Sequence, residues 1–141
     1  MSAAPDKPVP EADVAGAAAL RSDELARTIA AIAGDKLAQD MVALDVRELV
    51  GYTDFLLICT ARNERQAKAI HDEVYGRLKR EHERLPATVE GETEARWVLM
   101  DYLDCVFHVF VPELRERYRL EVLWGEAPHI ELGLGSETGG G

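Results

Sequence analysis

Asp45, Asp54, Asp101 and Asp104, four acids set near the ends of apolar runs, are the residues of this chain whose type suits polar chemistry most directly. Paired carboxylates carried on strands are what metal-dependent nucleotidyl transfer requires, because they hold divalent ions beside the attacking and leaving oxygens. The surrounding sequence does not supply the rest of such a site. No glycine–serine pair precedes the acids, and GxGxxG, GxxxxGK, GxSxG and HExxH do not occur. Acids at strand ends act by default as turn formers and caps. Asp104 and His108 fall on one strand face with Val106 between them, a poor metal pair without a third and fourth ligand. Cys59 and Cys105 sit inside apolar patterns and form no CxxC unit, so they read as small buried hydrophobes kept reduced. The chain is therefore read as a non-enzyme, with no catalytic residue, metal or cofactor.

The stretch that positions most of these groups is RWVLMDYLDCVFHVFV, from Arg96 to Val111. It reads as two strands joined by a tight turn. With Tyr102 and Leu103 as a two-residue loop, alternation opposes Asp101 with Asp104, Met100 with Cys105, Leu99 with Val106, Val98 with Phe107 and Trp97 with His108. One face then carries Val98, Met100, Cys105, Phe107, Val109 and Val111, has no polar group, and should lie against helices as core. The other carries Trp97, Leu99, Asp101, Asp104, Val106, His108 and Phe110. Aromatics, a histidine and acids on one face suit a contact surface, in which rings supply energy and polar groups supply register. On this reading Trp97 is substantially exposed and anchors a partner, and its truncation should leave the fold intact.

The rest of the chain supplies a scaffold. At 141 residues and 47% hydrophobic composition it supports one globular domain. Residues 1–21, rich in Ala and Pro, are expected to be a disordered tail, and residues 133–141 a flexible Gly-rich one, leaving a domain over 22–132. Ser22 is a candidate N-cap for a helix whose Leu25, Ile29 and Ile32 share a stripe before Gly34 ends it. MVALDV (41–46) alternates, with Val42, Leu44 and Val46 on one face. FLLICT (55–60) reads as a strand covered on both sides. Asn63 can cap a helix running to about Glu81, with Ala67, Ile70, Val74 and Leu78 buried and Glu64/Lys68 and Glu73/Arg77 as exposed pairs. A short strand over 88–90 and the polar loop GETEA lead into the hairpin. Pro112 opens a short helix in which Leu114 and Tyr118 share a face, and Trp124 packs the segment that follows. The fold class is α/β (α+β), with a mixed sheet of about five strands flanked by helices.

The formal net charge of −10 argues against a surface that neutralises many phosphates and favours a basic protein as partner, though solubility alone can produce such a surface. No membrane span or signal peptide is read, and a cytoplasmic protein is the expectation.

MVALDV, YTDFLLICTARNERQAKAIHDEV, VEG, ARWVLMDYLDCVFHVFVPELRERY and LEVLWGEAP, taken in order over about Ser22–Pro128, resemble the ribosomal silencing factor (Iojap-type) family. The resemblance implies a nucleotidyltransferase-like fold without demonstrated catalytic machinery. It also implies binding to the large ribosomal subunit through its ribosomal protein fourteen, which blocks subunit joining under nutrient limitation and represses translation. Little direct nucleic-acid binding is expected, and the sequence leaves a homodimer open. In the family the tryptophan-led strand and a D-aromatic-G-D turn contribute to the contact. Trp97, Asp101, Tyr102 and Asp104 match these positions, continuing to His108 and Phe110, while Leu103 stands where the family usually has glycine. The alternatives are an assembly factor or acidic adaptor for another basic protein, and a residual nucleotidyltransferase.

Overall fold

The structure is a computed structural model and describes residues 20–133. The tails expected over 1–21 and 133–141 therefore lie outside the described residues, apart from Leu20, Arg21 and Gly133. Helix α1 (Ser22–Asp35) precedes strands β1 (Gln39–Asp45) and β2 (Phe55–Thr60), then helix α2 (Glu64–His82). Strands β3 (Thr88–Glu90), β4 (Trp97–Asp101) and β5 (Cys105–Phe110) follow, and short helices α3 (Pro112–Tyr118) and α4 (Leu120–Leu123) close the order. They form a single domain around a five-stranded mixed sheet of order β1-β2-β5-β4-β3, in which β2 and β5 run parallel and the other neighbours antiparallel.

Alternation within the central strands divides the core in two. Phe55, Leu57, Cys59, Val98, Met100, Cys105, Phe107 and Val109 point toward α1 and α2, where they meet Leu25, Ile29, Ile70, Val74 and Leu78. Leu44, Val46, Leu56, Ile58, Val106 and Phe110 point the other way and are covered by Val111, Leu114 and Ala127, with Leu120 and Trp124 packed alongside. β2 is buried along its whole length because it has a core on each face.

Several local expectations are corrected. Val111 belongs to the second core and not the first, because the chain leaves the strand at Phe110 and Val111 becomes the N-cap of α3 ahead of Pro112. Helix α1 is capped at Arg21 and not Ser22: the Glu24 carboxylate accepts the Arg21 backbone N–H at 2.9 Å, one half of a capping box. Helix α2 does start at Asn63, whose Oδ1 accepts the Gln66 N–H at 2.9 Å, and runs one residue past Glu81. Its exposed pairs differ from those expected. Lys68 approaches Asp72 at 3.6 Å, and Arg77 bridges Asp35 at 2.9 Å and Glu81 at 3.4 Å, tying α2 to the end of α1.

The sheet edges are protected in different ways. β3 is only three residues long. Along β1, residues 128–130 lie as an added strip: the Asp45 N–H donates to the Pro128 carbonyl at 2.8 Å and the Ile130 N–H to that of Ala43 at 3.0 Å. Among the described residues no helix is long and apolar enough to cross a membrane.

Candidate partner-binding face

The β4–β5 hairpin carries the residues of interest, and its turn decides where they go. The Tyr102 N–H donates to the Cys105 carbonyl at 3.0 Å, so this pair closes the ladder and Leu103–Asp104 form the loop. Asp104 N–H reaches back to the Tyr102 carbonyl at 2.8 Å around Leu103, which sits at φ +73°. The Asp101 carboxylate accepts the Leu103 N–H at 2.8 Å, pinning the turn from the strand side. Trp97 is consequently opposite Phe110, Leu99 opposite His108 and Asp101 opposite Val106. This register lies two residues along from that of a Tyr102–Leu103 loop. A shift of two preserves side-chain parity, so the two faces keep the strand residues assigned to them while every opposing pair changes. Asp101 and Asp104 do not oppose each other across the ladder.

Parity also places Tyr102. Its side chain enters the core beneath α1 and α2, where it is 1% exposed and its hydroxyl is buried without a hydrogen-bond partner among the described residues. Burial pushes its pKa well above the usual tyrosine range. Tyr102 is thus a core residue in this structure and not part of an exposed face.

The opposite face is not open either, because α3, α4 and the segment through Ala127 fold across it. Phe110 is fully buried, and Val106 and His108 nearly so. Trp97 is half-buried, not substantially exposed. Its ring centroid lies 4.8 Å from those of Phe110 below and Tyr118 beside it, and its indole N–H donates to His108 Nδ1 at 3.0 Å. An accepting Nδ1 places the proton of the neutral imidazole on Nε2, and burial pushes the His108 pKa down to about 4. His108 therefore orients Trp97 from beneath as a neutral acceptor. Leu99 and Asp101 are half-buried along the same strand, and Tyr118 is 46% exposed.

Gly91 fixes the other side of Trp97. It adopts φ +80°, and a Cβ there would fall 2.0 Å from the Trp97 carbonyl oxygen. Gly91, Thr93, Glu94, Arg96, Trp97 and Leu114 line an open hollow of about 340 Å³ beside the indole. The result is a braced aromatic platform, Trp97 with Tyr118, bordered by Leu99, while Asp101 and Asp104 stand at the opposite end of the hairpin, at the end of β4 and in its turn. Sequence reasoning missed Tyr118 as a member, although its shared helical face with Leu114 was the available signal. The bracing by Gly91 had only the loop sequence to announce it.

The remaining acids are held separately. Asp45 receives Arg47 at 2.7 Å, and that hydrogen bond keeps its carboxyl below the usual carboxylate range. Arg84 Nη2 donates to the Tyr102 carbonyl at 2.8 Å and lies 3.4 Å from Asp104, whose side chain stays 48% exposed. Among the described residues no three His, Cys, Asp or Glu side chains are grouped to hold a metal ion. Burial pushes the Cys59 thiol up to about 12 and the Cys105 thiol higher still, far from the range of a reactive thiolate.

Residues 19–139 match the family model "Ribosomal silencing factor during starvation". The chain is 37% identical over 116 residues to the ribosomal silencing factor RsfS of Bacillus subtilis, covering 82% of this chain and 98% of that one. It is 31% identical over 90 residues to a mouse protein named mitochondrial assembly of ribosomal large subunit protein 1, covering 62% of this chain and 39% of the relative. A crystal structure of a Chromobacterium violaceum protein superposes with a TM-score of 0.72 at 27% identity, covering 84% of this chain and 97% of that one. With the fold, the order of its motifs and the extent of these matches in agreement, the chain belongs to the ribosomal silencing factor family.

Proposed function

We propose that this chain represses translation by docking on the large ribosomal subunit, through its ribosomal protein fourteen, and so blocks subunit joining under nutrient limitation. The observation that carries the reading is the Trp97 platform. An indole oriented by His108, packed at a tilt on Phe110 and flanked by an exposed Tyr118 is a rigid, amphipathic anchor of the kind that dominates interface energies. Asp101 and Asp104 stand at the far end of the same hairpin, at the end of β4 and in its turn, and the chain's net charge of −10 suits a basic protein partner. The role is one of binding in the cytoplasm and not of catalysis.

The name of the mouse relative favours a second reading, a factor in assembly of the large subunit. Depletion separates the two. A silencing factor leaves mature large subunits that join too readily in starved cells, whereas an assembly factor leaves precursor particles.

The direct test is cosedimentation with purified large subunits, paired with a subunit-joining assay. Tyr118→Ala is the cleaner probe because its ring is exposed, and it should keep the melting temperature while weakening binding about tenfold, or 1.4 kcal/mol. Trp97→Ala should weaken binding more, and should also remove about 2 kcal/mol of stability because the indole is half-buried. If both variants cosediment and block joining like the parent protein, the platform is not the docking site.

A further inference from the structure

Most Lys and Arg side chains of this acidic protein are spent on its own carboxylates. Arg21, Arg27, Arg47, Lys68, Arg77, Arg84, Arg96, Arg115, Arg117 and Arg119 each lie within 4.0 Å of one. Among the described residues, those without such a partner are Lys36, Arg62, Arg65, Lys79 and Arg80. Three of these five line a single open hollow of about 500 Å³, between the turn after α1 and the start of α2. The clustering is built by one side chain. Gln66 is 7% exposed; its Oε1 accepts the Arg62 N–H, and its Nε2 donates to the Lys36 and Leu37 carbonyls at 3.1 and 3.3 Å. It therefore holds the backbones of Lys36 and Arg62 side by side while their side chains remain exposed.

From this hollow we infer a second contact surface, resting on the ribosome-binding reading: Lys36, Arg62 and Arg65 engage the phosphate backbone of ribosomal RNA beside the protein docking site. The fit is one of charge. Asp35 also lines the hollow but is paired with Arg77 at 2.9 Å, which leaves three cations facing outward, with Glu64 in the first turn of α2 as an oppositely charged residue that is not part of the lining. Burying the three against protein carboxylates would require an acidic partner, which a particle made largely of RNA and basic proteins does not offer. A patch this small neutralises two or three phosphates, too few for free RNA binding by a chain of net charge −10 and enough to add register to a complex held elsewhere.

The test uses the full chain and purified large subunits across a potassium chloride series. The triple variant Lys36→Glu, Arg62→Glu, Arg65→Glu and its all-Gln counterpart are compared with the parent protein, with melting curves to establish folding. The expected result is binding weakened at least about tenfold for the Glu variant, less for the Gln variant, and a log–log salt dependence altered by about two to three in slope. Unchanged affinity and salt dependence in both variants would overturn the inference while leaving the Trp97 platform reading intact. Failure of the parent protein to cosediment at any salt would overturn both. Calorimetry with ATP and with inorganic phosphate addresses the other source of phosphate: saturable micromolar binding lost in the triple variants would replace RNA with a small-molecule ligand and overturn the inference as stated.

Discussion

Leu103 is a β-turn residue of the wrong shape for its backbone. At φ +73° an L side chain approaches the following carbonyl, a strain that glycine escapes. The turn survives because Asp101 accepts the Leu103 N–H and Arg84 holds the Tyr102 carbonyl. Leu103→Gly should therefore raise stability by about 1 kcal/mol in thermal or denaturant melts, the relief of strain exceeding the added unfolded-state entropy. A second residue-scale consequence follows from His108. With a pKa near 4 in the fold against 6.5 in the unfolded chain, it binds its proton only after unfolding throughout the window between those values. Stability is then fully present above pH 6.5 and falls as pH drops toward 4, by about 3 kcal/mol in all. His108→Gln, which keeps an acceptor available for the Trp97 N–H, should flatten that part of the pH–stability curve while leaving the fall below pH 4 from paired carboxylates such as Asp45.

At the scale of elements, two devices hold the platform in place. Gly91 lets the loop before β4 pass against the Trp97 carbonyl, and no Cβ fits there, so Gly91→Ala should lower stability by about 2 kcal/mol or more and displace the indole. Trp97 fluorescence reports the displacement directly. Arg115 clamps α3 to the sheet: its guanidinium donates to Thr60 Oγ1 at 2.8 Å, the Asp40 carbonyl at 2.9 Å and Glu121 at 3.0 Å. Truncating it strands those acceptors in a half-buried site, and Arg115→Ala should remove about 2–3 kcal/mol measured by denaturant titration. The elements themselves were legible because hydrophobic period is a strong signal over FLLICT, the α2 stripe and the hairpin strands. The hairpin register was not. Alternation determines which residues share a face but is blind to a shift of two, and only the Tyr102–Cys105 closure decides between the alternatives. Covering of the Trp97 face was equally hidden, since α3 and α4 are short and the segment through Ala127 has no period to reveal it.

Across the whole molecule, on the docking reading proposed above, an aromatic platform supplies contact energy while the net charge of −10 shapes the approach of a partner. These two contributions separate in kinetics. Asp101 and Asp104 occupy the end of β4 and the turn of the hairpin; both are half-buried, and Asp104, its side chain 48% exposed, is only loosely met by Arg84 at 3.4 Å, so these charges act outward through solvent. Such charges accelerate encounter with a basic surface and are screened over about 8–10 Å at ordinary ionic strength. Replacing both by Asn removes the charge but retains the acceptor that Asp101 offers to the Leu103 N–H, which keeps the turn and the melting temperature nearly unchanged. Association with large subunits should then slow by several fold at low salt, its salt dependence should flatten, and dissociation should stay close to that of the parent protein. Stopped-flow binding across a salt series reads all three quantities. Equal association rates and equal salt slopes for the two proteins would show that the turn acids shape the hairpin alone, whereas a faster dissociation with unchanged association would place at least one of them in direct contact with the partner.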